Sequence, residues 1–501
     1  MNKFYTSLRR LCCISTMAAS ALAMAPASAQ TEKGALSLNM AIEIAKDFSS
    51  QAKVAQFSLM GQYWNYRSYK ANMLPSLNLE TDIMNYDRSI VEDRVGSDIV
   101  YVENNTLDNA IELSLDQNIA LTGGTLSIST DVTRLDQFDN TTSPLTYKTN
   151  PLSLSYSQPL MAYNSLKWKK KTEPKKYERA KRTYLESMEA ITIRTTTYFF
   201  NVLSAQSQYK RNMESYQTLK ELYDVAQRRY DLGTIKYSEL LQLQLSVLNA
   251  EMSINTSRIA MESSIFTLCT YIGLPDYNNI SLIQPFEMPD FTLEYDSVLD
   301  KSYTNSSHTL EQDLKRLTSE QAVAQAKGTN GLQAEFSVSI GLSQNDELLK
   351  GAYQNLKDRE IFGVSLSMPI FDWGVGKGEI EMAKADLDVT LTEIEEEDRE
   401  FRQEIYTKVM EFNNQKRQCE IAIVAQNISK ERLDITTLRF QNGTVTVTEF
   451  NNAQEDFEEA QAKYITYLKS YWTYYYEIQQ MTLYDYINKR DISAEFEKLV
   501  K

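Results

Sequence analysis

The side chains that most often carry catalysis are sparse in this sequence. Histidine occurs once, at His308, in a polar segment where an exposed side chain is the ordinary interpretation. The sequence contains no Ser-His-Asp set, no cysteine-pair motif and no glycine-rich phosphate loop. The acidic run from Glu393 to Asp398 favours a solvated helix face over a metal site. We therefore expect no enzyme, no cofactor and no metal centre.

The first 29 residues have the pattern of a secretory signal peptide. Basic residues precede an apolar run that ends at Ala25, and Ala27-Ser28-Ala29 follows as a cleavage site. We expect cleavage near Ala29, which leaves a mature chain that starts at Gln30. No later apolar run is long enough to predict a transmembrane helix.

The net charge and the cysteines of the chain limit what it can bind and how it is held together. The formal net charge is −15, and loss of Lys3, Arg9 and Arg10 with the signal peptide makes it −18. Such an acidic exported protein is a poor candidate for binding nucleic acid. Cys269 and Cys419 remain after cleavage and lie on long helical patterns, which predicts two buried free thiols rather than a disulfide.

Two short breaks organise the helical part of the chain. Gly233 is the only glycine between Lys175 and Tyr271, and Gly443 is the only one from Glu379 onward; neither stretch contains proline. Each break has the order Arg, aromatic, two residues, Gly, Thr, and the two lie 210 residues apart. Because glycine accepts the positive φ that ends a helix, we expect two long helical hairpins that turn at these positions.

Mostly apolar residues recur every seven positions on both arms of each predicted hairpin, which indicates coiled-coil packing. The longest rows are these: Val202, Tyr209, Tyr216, Tyr223 and Tyr230; Leu245, Met252, Ile259 and Phe266; Ile405, Phe412, Cys419, Gln426, Leu433 and Phe440; Phe450, Phe457, Tyr464 and Tyr471. Helices of this length must pack side by side, within the chain and against other copies of it.

Alternating segments between the helices predict β-strands, and prolines mark their junctions with the helices. Pro75 ends the first helix, and Pro159 lies 210 residues before Pro369, the same separation as the two glycines. Two landmarks with one offset indicate an internal duplication. The fold class is therefore mixed α+β, with two helix–strand–strand–helix–helix repeats.

The chain is thus expected to consist of consecutive segments. They are a signal peptide (1–29), a first repeat (30–275) with a helix, strands at about 77–160 and a hairpin at about 167–273, a linker (276–297), a second repeat (298–486) with a helix, strands at about 335–370 and a hairpin at about 377–485, and a C-terminal tail (487–501). The first helix is expected at Leu38–Asn72 and the first helix of the second repeat at about Val298–Lys327.

Taken together, these features resemble the TolC-type outer-membrane efflux channels. The resemblance covers about Leu36 to Tyr486 and depends on Leu74-Pro75-Ser76-Leu77, Ser157-Gln158-Pro159-Leu160, its counterpart at 367–371, and the two Arg-aromatic-x-x-Gly-Thr breaks. It implies a homotrimer in the outer membrane of a Gram-negative-type cell, with a shared β-barrel in the lipid and a shared helical tube in the periplasm. A closed barrel is what the physics of a lipid bilayer requires of membrane strands.

The resemblance also implies partners and sites. The chain would be the passive exit duct of a tripartite efflux pump or a type I secretion system, coupled to a periplasmic adaptor and an inner-membrane pump. The tips that meet the adaptor would contain Arg229, Gly233, Thr234, Arg439, Gly443 and Thr444. For the glycines, a purely structural role as turn residues is an equal alternative.

The resemblance places the periplasmic entrance just after the second break. Glu449 and Asn452 are three residues apart and share a helical face, so three copies of Glu449 around an axis would bind cations and repel anions. Glu239 is the equivalent residue after the first break. A solvent-facing Glu449 outside the tube is the alternative.

Two questions stay open at this level. The stretch from Pro75 to Pro159 is about 49 residues longer than its counterpart in the second half. The family resemblance implies four strands per chain, and these extra residues put that number in question. The extra residues could add two strands to the wall or form a hairpin outside the membrane. A periplasmic coiled coil with a structural or adhesive role is the alternative to a channel, although it does not account for the proline-marked strands.

Overall fold

The computed structural model describes residues 35–95, 98–138, 145–275, 280–285 and 288–500. The predicted signal peptide lies outside the described residues. Within them the main helices are α1 (Leu38–Phe48), α2 (Ser50–Ala71), α3 (Ser165–Asp231), α4 (Tyr237–Ile272), α5 (Tyr295–Asn305), α6 (His308–Asn330), α7 (Val375–Gln441), α8 (Val447–Thr482) and α9 (Phe496–Leu499). The long strands are β1 (Ser76–Val95), β2 (Asp98–Ile119), β3 (Gly124–Gln137), β4 (Leu145–Leu160), β5 (Gln333–Asp346) and β6 (Lys357–Ser367).

The helical hairpins repeat residue for residue. Helices α3 and α7 have 67 residues each, and α4 and α8 have 36 residues each. Every one of their bounds is displaced by the 210 residues that separate Gly233 from Gly443. At about 1.5 Å per residue, each longer arm is a rod of about 100 Å.

The first helix of each repeat is divided in two, which corrects the single helices expected at Leu38–Asn72 and Val298–Lys327. Ser49 separates α1 from α2 with extended φ and ψ of −64° and 150°, and its hydroxyl accepts from the Ala52 N–H at 3.1 Å. Ser306 and Ser307 separate α5 from α6. The side chain of Ser49 caps the helix that follows it, whereas Ser307 makes no side-chain cap.

The six long strands form one antiparallel sheet in chain order, from β1 to β6. The strand after Pro75 begins at Ser76, and β4 extends through Pro159 to Leu160. The last strand ends at Ser367, so Pro369 lies just beyond it rather than inside it. A proline there is consistent with the end of a strand, since proline has no N–H for the ladder.

The chain divides into two compact units. Of the described residues, the first contains 35–44, 198–275 and 280–285. In it α4 returns along the second half of α3, and Asn212 Nδ2 of α3 donates to the Ser253 carbonyl of α4 at 2.9 Å. Leu222 and Leu243 are each no more than 1% exposed. A short parallel pair, Ala35–Leu36 with Ser281–Leu282, completes this unit.

The second unit contains the described residues within 45–197 and 288–500. Here α8 packs on α7: the rings of Phe412 and Tyr471 lie 5.2 Å apart, and Gln415 Nε2 donates to the Tyr467 carbonyl at 2.8 Å. The end of the chain also packs in this unit, because Val500 is buried in a cluster with Leu59 and Tyr184.

The seven-residue rows have two different roles. Ile405, Phe412 and Cys419 are at most 1% exposed, so this row forms the packed seam of the second hairpin as expected. The row Leu245, Met252, Ile259 and Phe266 on α4 is 52–63% exposed. A buried row of α4 instead contains Leu243, Ala250 and Ser257, also seven apart. Two rows of the same period lie on different sides of one helix.

Candidate functional site

The first break is a tight helix C-cap built around Gly233. Its φ is +72°, which confirms the predicted left-handed turn. The Gly233 N–H donates to the Tyr230 carbonyl at 2.8 Å, and the Thr234 N–H donates to the Arg229 carbonyl at 2.9 Å. This pair of bonds is the Schellman motif, which satisfies the last carbonyls of a helix.

The second break has the same backbone pattern. Gly443 has φ +76° and its N–H donates to the Phe440 carbonyl at 2.9 Å, while the Thr444 N–H donates to the Arg439 carbonyl at 3.0 Å. The duplicated sequence therefore encodes a duplicated turn.

The threonines add a further bond at both breaks. The hydroxyl of Thr234 donates to the Arg229 carbonyl at 2.9 Å, and that of Thr444 donates to the Arg439 carbonyl at 3.1 Å. The conformation of each turn is therefore sufficient to explain why Gly and Thr occur there.

In each turn the arginine contributes its main-chain carbonyl as a hydrogen-bond acceptor, and its side chain takes no part. Arg439 is exposed and Arg229 is half-buried. Among the described residues, neither guanidinium forms an ion pair. An unpaired guanidinium offers five N–H donors in a planar fork, which suits a carboxylate or carbonyl of another molecule.

The second break continues into a capping box at the start of α8. Thr446 Oγ1 accepts from the Glu449 N–H at 3.2 Å, and Glu449 Oε2 accepts from the Thr446 N–H at 3.0 Å. Both residues are exposed. One oxygen of the Glu449 carboxylate is therefore engaged with the helix end, where the helix dipole also favours a negative charge.

Thr446 was not among the residues singled out from the sequence. The signal was present, since Thr446-x-x-Glu449 ahead of a helical pattern is the capping-box pattern. At the first break the equivalent position is Lys236, which makes no side-chain cap, so Glu239 has no partner of this kind there. The two tips thus have equal turns and unequal helix starts.

Asn452 lies one turn after Glu449 on α8, and its side chain is exposed. Glu239 is exposed at the corresponding place on α4. The aromatic residues behind the tips are packed: the rings of Phe440 and Phe450 lie 6.0 Å apart, and those of Tyr230 and Tyr237 lie 5.5 Å apart. At the second tip this pair is buried, whereas Tyr230 and Tyr237 at the first tip are 38% and 57% exposed.

The single histidine is not the exposed residue that the sequence suggested. The His308 ring stacks on Phe401 with centroids 3.9 Å apart, and its side chain is 17% exposed. Burial lowers its pKa, although Asp398 is 4.0 Å from Nε2. The acidic run is also partly engaged, because Glu397 accepts from Lys315 Nζ at 2.6 Å. These contacts join α6 to α7.

Other chemistry is limited among the described residues. Cys269 and Cys419 are buried and form no disulfide, as predicted, and burial raises the pKa of Cys419 to about 12. No group of three or more His, Cys, Asp or Glu residues in the described ranges is arranged to hold a metal ion. None of the described helices is long and apolar enough to cross a membrane.

A family model described as "Outer membrane efflux protein" matches residues 42–274 and 303–482. The chain belongs to the outer membrane efflux protein family. The two matched ranges cover both repeats and both helical breaks. Comparison with curated proteins gives no match.

Solved structures of outer membrane proteins have the same fold. The CmeC channel of Campylobacter jejuni superposes with a TM-score of 0.65 at 14% identity, over 92% of this chain and 88% of that one. VceC of Vibrio cholerae gives 0.62 at 15% identity, over 89% and 95%. The open state of the MtrE channel of Neisseria gonorrhoeae gives 0.58 at 14% identity, over 91% of each chain.

Membership of this family establishes the general function. The protein is an efflux channel-tunnel of the outer membrane, and the family is one of transport channels rather than enzymes. The TolC-type resemblance in the sequence is confirmed. A periplasmic coiled coil without a pore is not favoured.

Proposed function

We propose that three copies of this chain form a passive exit duct for small toxic compounds, coupled to a periplasmic adaptor and an inner-membrane pump. The duct would span the periplasm with its helices and the outer membrane with its strands. Energy would come from the pump, so the chain needs no catalytic residue. The observation that carries the proposal is that a single chain has two kinds of surface without a partner: exposed apolar rows on its long helices and unpaired edges of its sheet.

The first open surface is a pair of apolar rows on the long helices. Leu245, Met252 and Ile259 are 58%, 61% and 63% exposed on α4. Ile421 and Ile428 belong to an exposed seven-residue row on α7. Rows with this period need a helix to pack against, because a coiled-coil seam buries its apolar side chains.

A closed ring of copies would bury both rows. When the row of one copy packs against a different row of the next, the contact is head to tail, and such contacts close into a ring when the rotation between neighbours divides a full turn. Burial of these side chains would stabilise the assembly by about 1.5–3 kcal/mol for each fully covered residue.

The second open surface is the sheet edge. Strands β1 and β6 are the two ends of the sheet order. An open strand edge cannot face hydrocarbon, since each unpaired N–H and C=O would cost several kcal/mol. Other copies of the chain would supply the missing partners and close the barrel.

The tips are our proposed docking points for the adaptor. The turn at Gly443 and the bond from Thr444 hold the backbone, which leaves the Arg439 guanidinium to contact an acceptor on the adaptor. Arg229, Gly233 and Thr234 would serve in the same way at the other tip. Each trimer would then present six tips of nearly equal structure.

The entrance is proposed to follow the second tip. Three copies of Glu449 would place three carboxylates around the axis, with Asn452 adding polar but neutral groups one turn further. Glu239 would contribute less, since it lies after the first tip. Adaptor binding would open the entrance by shifting one helical hairpin relative to its neighbours.

The direct test is the state and location of the protein in cells. We expect it in the outer membrane fraction as a trimer that dissociates on heating, with ion conductance after reconstitution into planar bilayers. As a matched control, Met252→Asp and Ile259→Asp together place charges in the exposed row and should yield monomers. Recovery of the native chain as a water-soluble monomer with no conductance would refute the proposal.

A further inference from the structure

The first repeat contains a β-hairpin that the second repeat lacks. In the second half, only residues 331 and 332 separate α6 from β5. In the first half, α2 ends at Ala71 and the equivalent strand, β3, begins at Gly124. Strands β3 and β5 correspond because both have 14 residues and both precede a strand that leads into a long helix. The insertion is therefore the hairpin of β1 and β2.

This hairpin is an integral part of the sheet. Strand β2 pairs with β3 over the whole length of β3, from Ile119↔Gly124 to Thr106↔Gln137, without a register shift. A transmembrane strand needs about 9–11 residues. The shared ladder is long enough to place β2 in the same layer as β3 throughout a bilayer.

One apolar face continues from the duplicated strands onto the inserted ones. Directly paired residues form a row across five strands: Leu77, Leu115, Ile128, Leu154 and Ile340. Each of them is 40–68% exposed in the single chain. On β6 the partner of Ile340 is Glu360, and the apolar positions on the same face, Phe362, Val364 and Leu366, are 64–69% exposed. This continuity fits a lipid-facing wall and does not fit a hairpin in water.

The opposite face is polar across the same junction. Asp116 of β2 accepts hydrogen bonds from Ser127 Oγ of β3 at 2.6 Å and from Asn78 Nδ2 of β1 at 2.8 Å. Further along the same row, Ser155 Oγ donates to Ser339 Oγ at 3.1 Å. An apolar face backed by a hydrated, hydrogen-bonded face is the pattern of a membrane barrel wall.

The insertion moves the free edge of the sheet. Without it β3 would be the edge, whereas with it the edge is β1. Strands alternate in direction from β1 to β6, so β6 of one copy and β1 of the next would be antiparallel, as all other neighbours are. Lipid cannot satisfy either edge, which leaves a second copy of the chain as the occupant.

We propose that β6 of each copy pairs with β1 of the next, and that the trimer closes an 18-stranded barrel from three sets of six strands. This inference depends on the proposed trimer. Barrel diameter grows roughly linearly with strand number, so the exit is about 1.5-fold wider than in a barrel of four strands per copy. Barrels of 16–18 strands leave a water-filled channel. The membrane barrel then does not limit the size of the exported compound, and the periplasmic entrance alone selects what passes.

Disulfide cross-linking tests the edge assignment. In a Cys269→Ala, Cys419→Ala background, Val364→Cys on β6 is combined with Leu77→Cys, Leu79→Cys or Thr81→Cys on β1, which covers neighbouring registers. The matched control combines Val364→Cys with Ile128→Cys on β3, since Ile128 is on the same face. We expect oxidation to give covalent trimers with at least one β1 position and none with β3.

The outcomes separate the two proposals. Cross-linking to Ile128→Cys, or to no β1 position in an assembly of trimer mass, overturns the 18-stranded barrel and leaves the duct intact. A monomeric native protein overturns both.

A deletion supplies a second measurement. Gln117 Nε2 donates to the Met73 carbonyl at 3.0 Å and Asn118 Nδ2 donates to the Asn72 carbonyl at 3.3 Å, so the ends of the insertion are adjacent. Removal of residues 74–118 should join them with little strain. Polymers are then added to the outer side of each barrel in planar bilayers, and the widest polymer that enters is determined. We expect this limit to be about 1.5-fold wider for the native barrel than for the deleted form. Equal size limits for the two proteins contradict the inference.

Discussion

The Ser127 hydroxyl donates to Asp116 Oδ1 at 2.6 Å, across the boundary between the duplicated strands and the inserted hairpin. Asp116 also accepts from Ser114 at 2.8 Å, so its carboxylate is shared by hydroxyls of two strands. A charge-assisted bond of this kind is stronger than a bond between neutral groups. The insertion is therefore joined to the sheet by side-chain hydrogen bonds on its polar face as well as by the backbone pairing of β2 with β3.

The helix starts at the two tips should differ in stability. Thr446→Ala removes one half of the capping box, which typically costs about 1 kcal/mol. We expect the amides at the start of α8 to exchange with solvent about fivefold faster, as measured by hydrogen exchange. Thr448→Ala is the matched control, because Thr448 is exposed nearby and forms no cap. Equal exchange in the two variants would show that the capping box does not hold this helix end.

The reverse change at the first tip is expected to stabilise it. Lys236→Thr places a capping hydroxyl three residues before Glu239, which recreates the box found at Thr446 and Glu449. Protection of the amides at the start of α4 should rise by a similar factor. A fall in protection would mean that Lys236 already has a stabilising role at that tip.

The entrance proposal predicts a separable effect of charge at Glu449. Glu449→Gln preserves the capping box, since glutamine can replace glutamate in it, and removes the charge. We expect higher conductance and weaker cation preference in planar bilayers, whereas Asn452→Asp should strengthen cation preference. Glu458→Gln is the control, because nine residues, or two and a half helical turns, place it on the side of α8 opposite Glu449. Unchanged selectivity in Glu449→Gln would place this carboxylate outside the pore.

Alkaline pH should destabilise the helical part of the protein. Burial raises the pKa of Tyr471, Tyr475 and Tyr476 above their ordinary value of 10.0, and it raises the pKa of Cys419 to about 12. The folded state thus holds these protons more tightly than the unfolded state. Their contribution to stability is complete below about pH 9 and is lost as pH rises above the unfolded-state values.

This pH effect can be measured with one substitution. In Tyr476→Phe, the Tm measured from pH 8 to pH 12 should fall less steeply than in the native protein, because one titrating group is gone. Tyr406→Phe serves as the control, since Tyr406 is 54% exposed. If the native protein and both variants lose Tm equally, burial of Tyr476 does not contribute to the alkaline transition.

Much of the architecture followed from local patterns. Gly233 and Gly443 predicted both turns, because few other residues adopt φ near +70° without strain. The shared separation of 210 residues predicted the duplication, and the structure repeats it in the bounds of four helices. The alternating segments also fell in strands, since a strand with one buried or lipid-facing side must alternate.

Other features depended on tertiary contacts that periodicity does not encode. The row through Leu245 and the row through Leu243 have the same period, and only the position of α3 decides which one is buried within the chain. The polar context of His308 gave no indication of its stacking on Phe401, about 90 residues away. The break at Ser49 was missed because a single capping serine is a weak signal within a long apolar pattern.

The functional role of the tips is tested most directly by an export assay with charge reversal. A strain that lacks the chain should accumulate a fluorescent pump substrate, and the native chain should restore export. We predict that Arg229→Glu with Arg439→Glu forms normal trimers in the outer membrane but fails to restore export, because the adaptor no longer docks. Arg399→Glu, an exposed change on α7 remote from the tip, should export normally. Export at the native rate by the double tip variant would contradict the account.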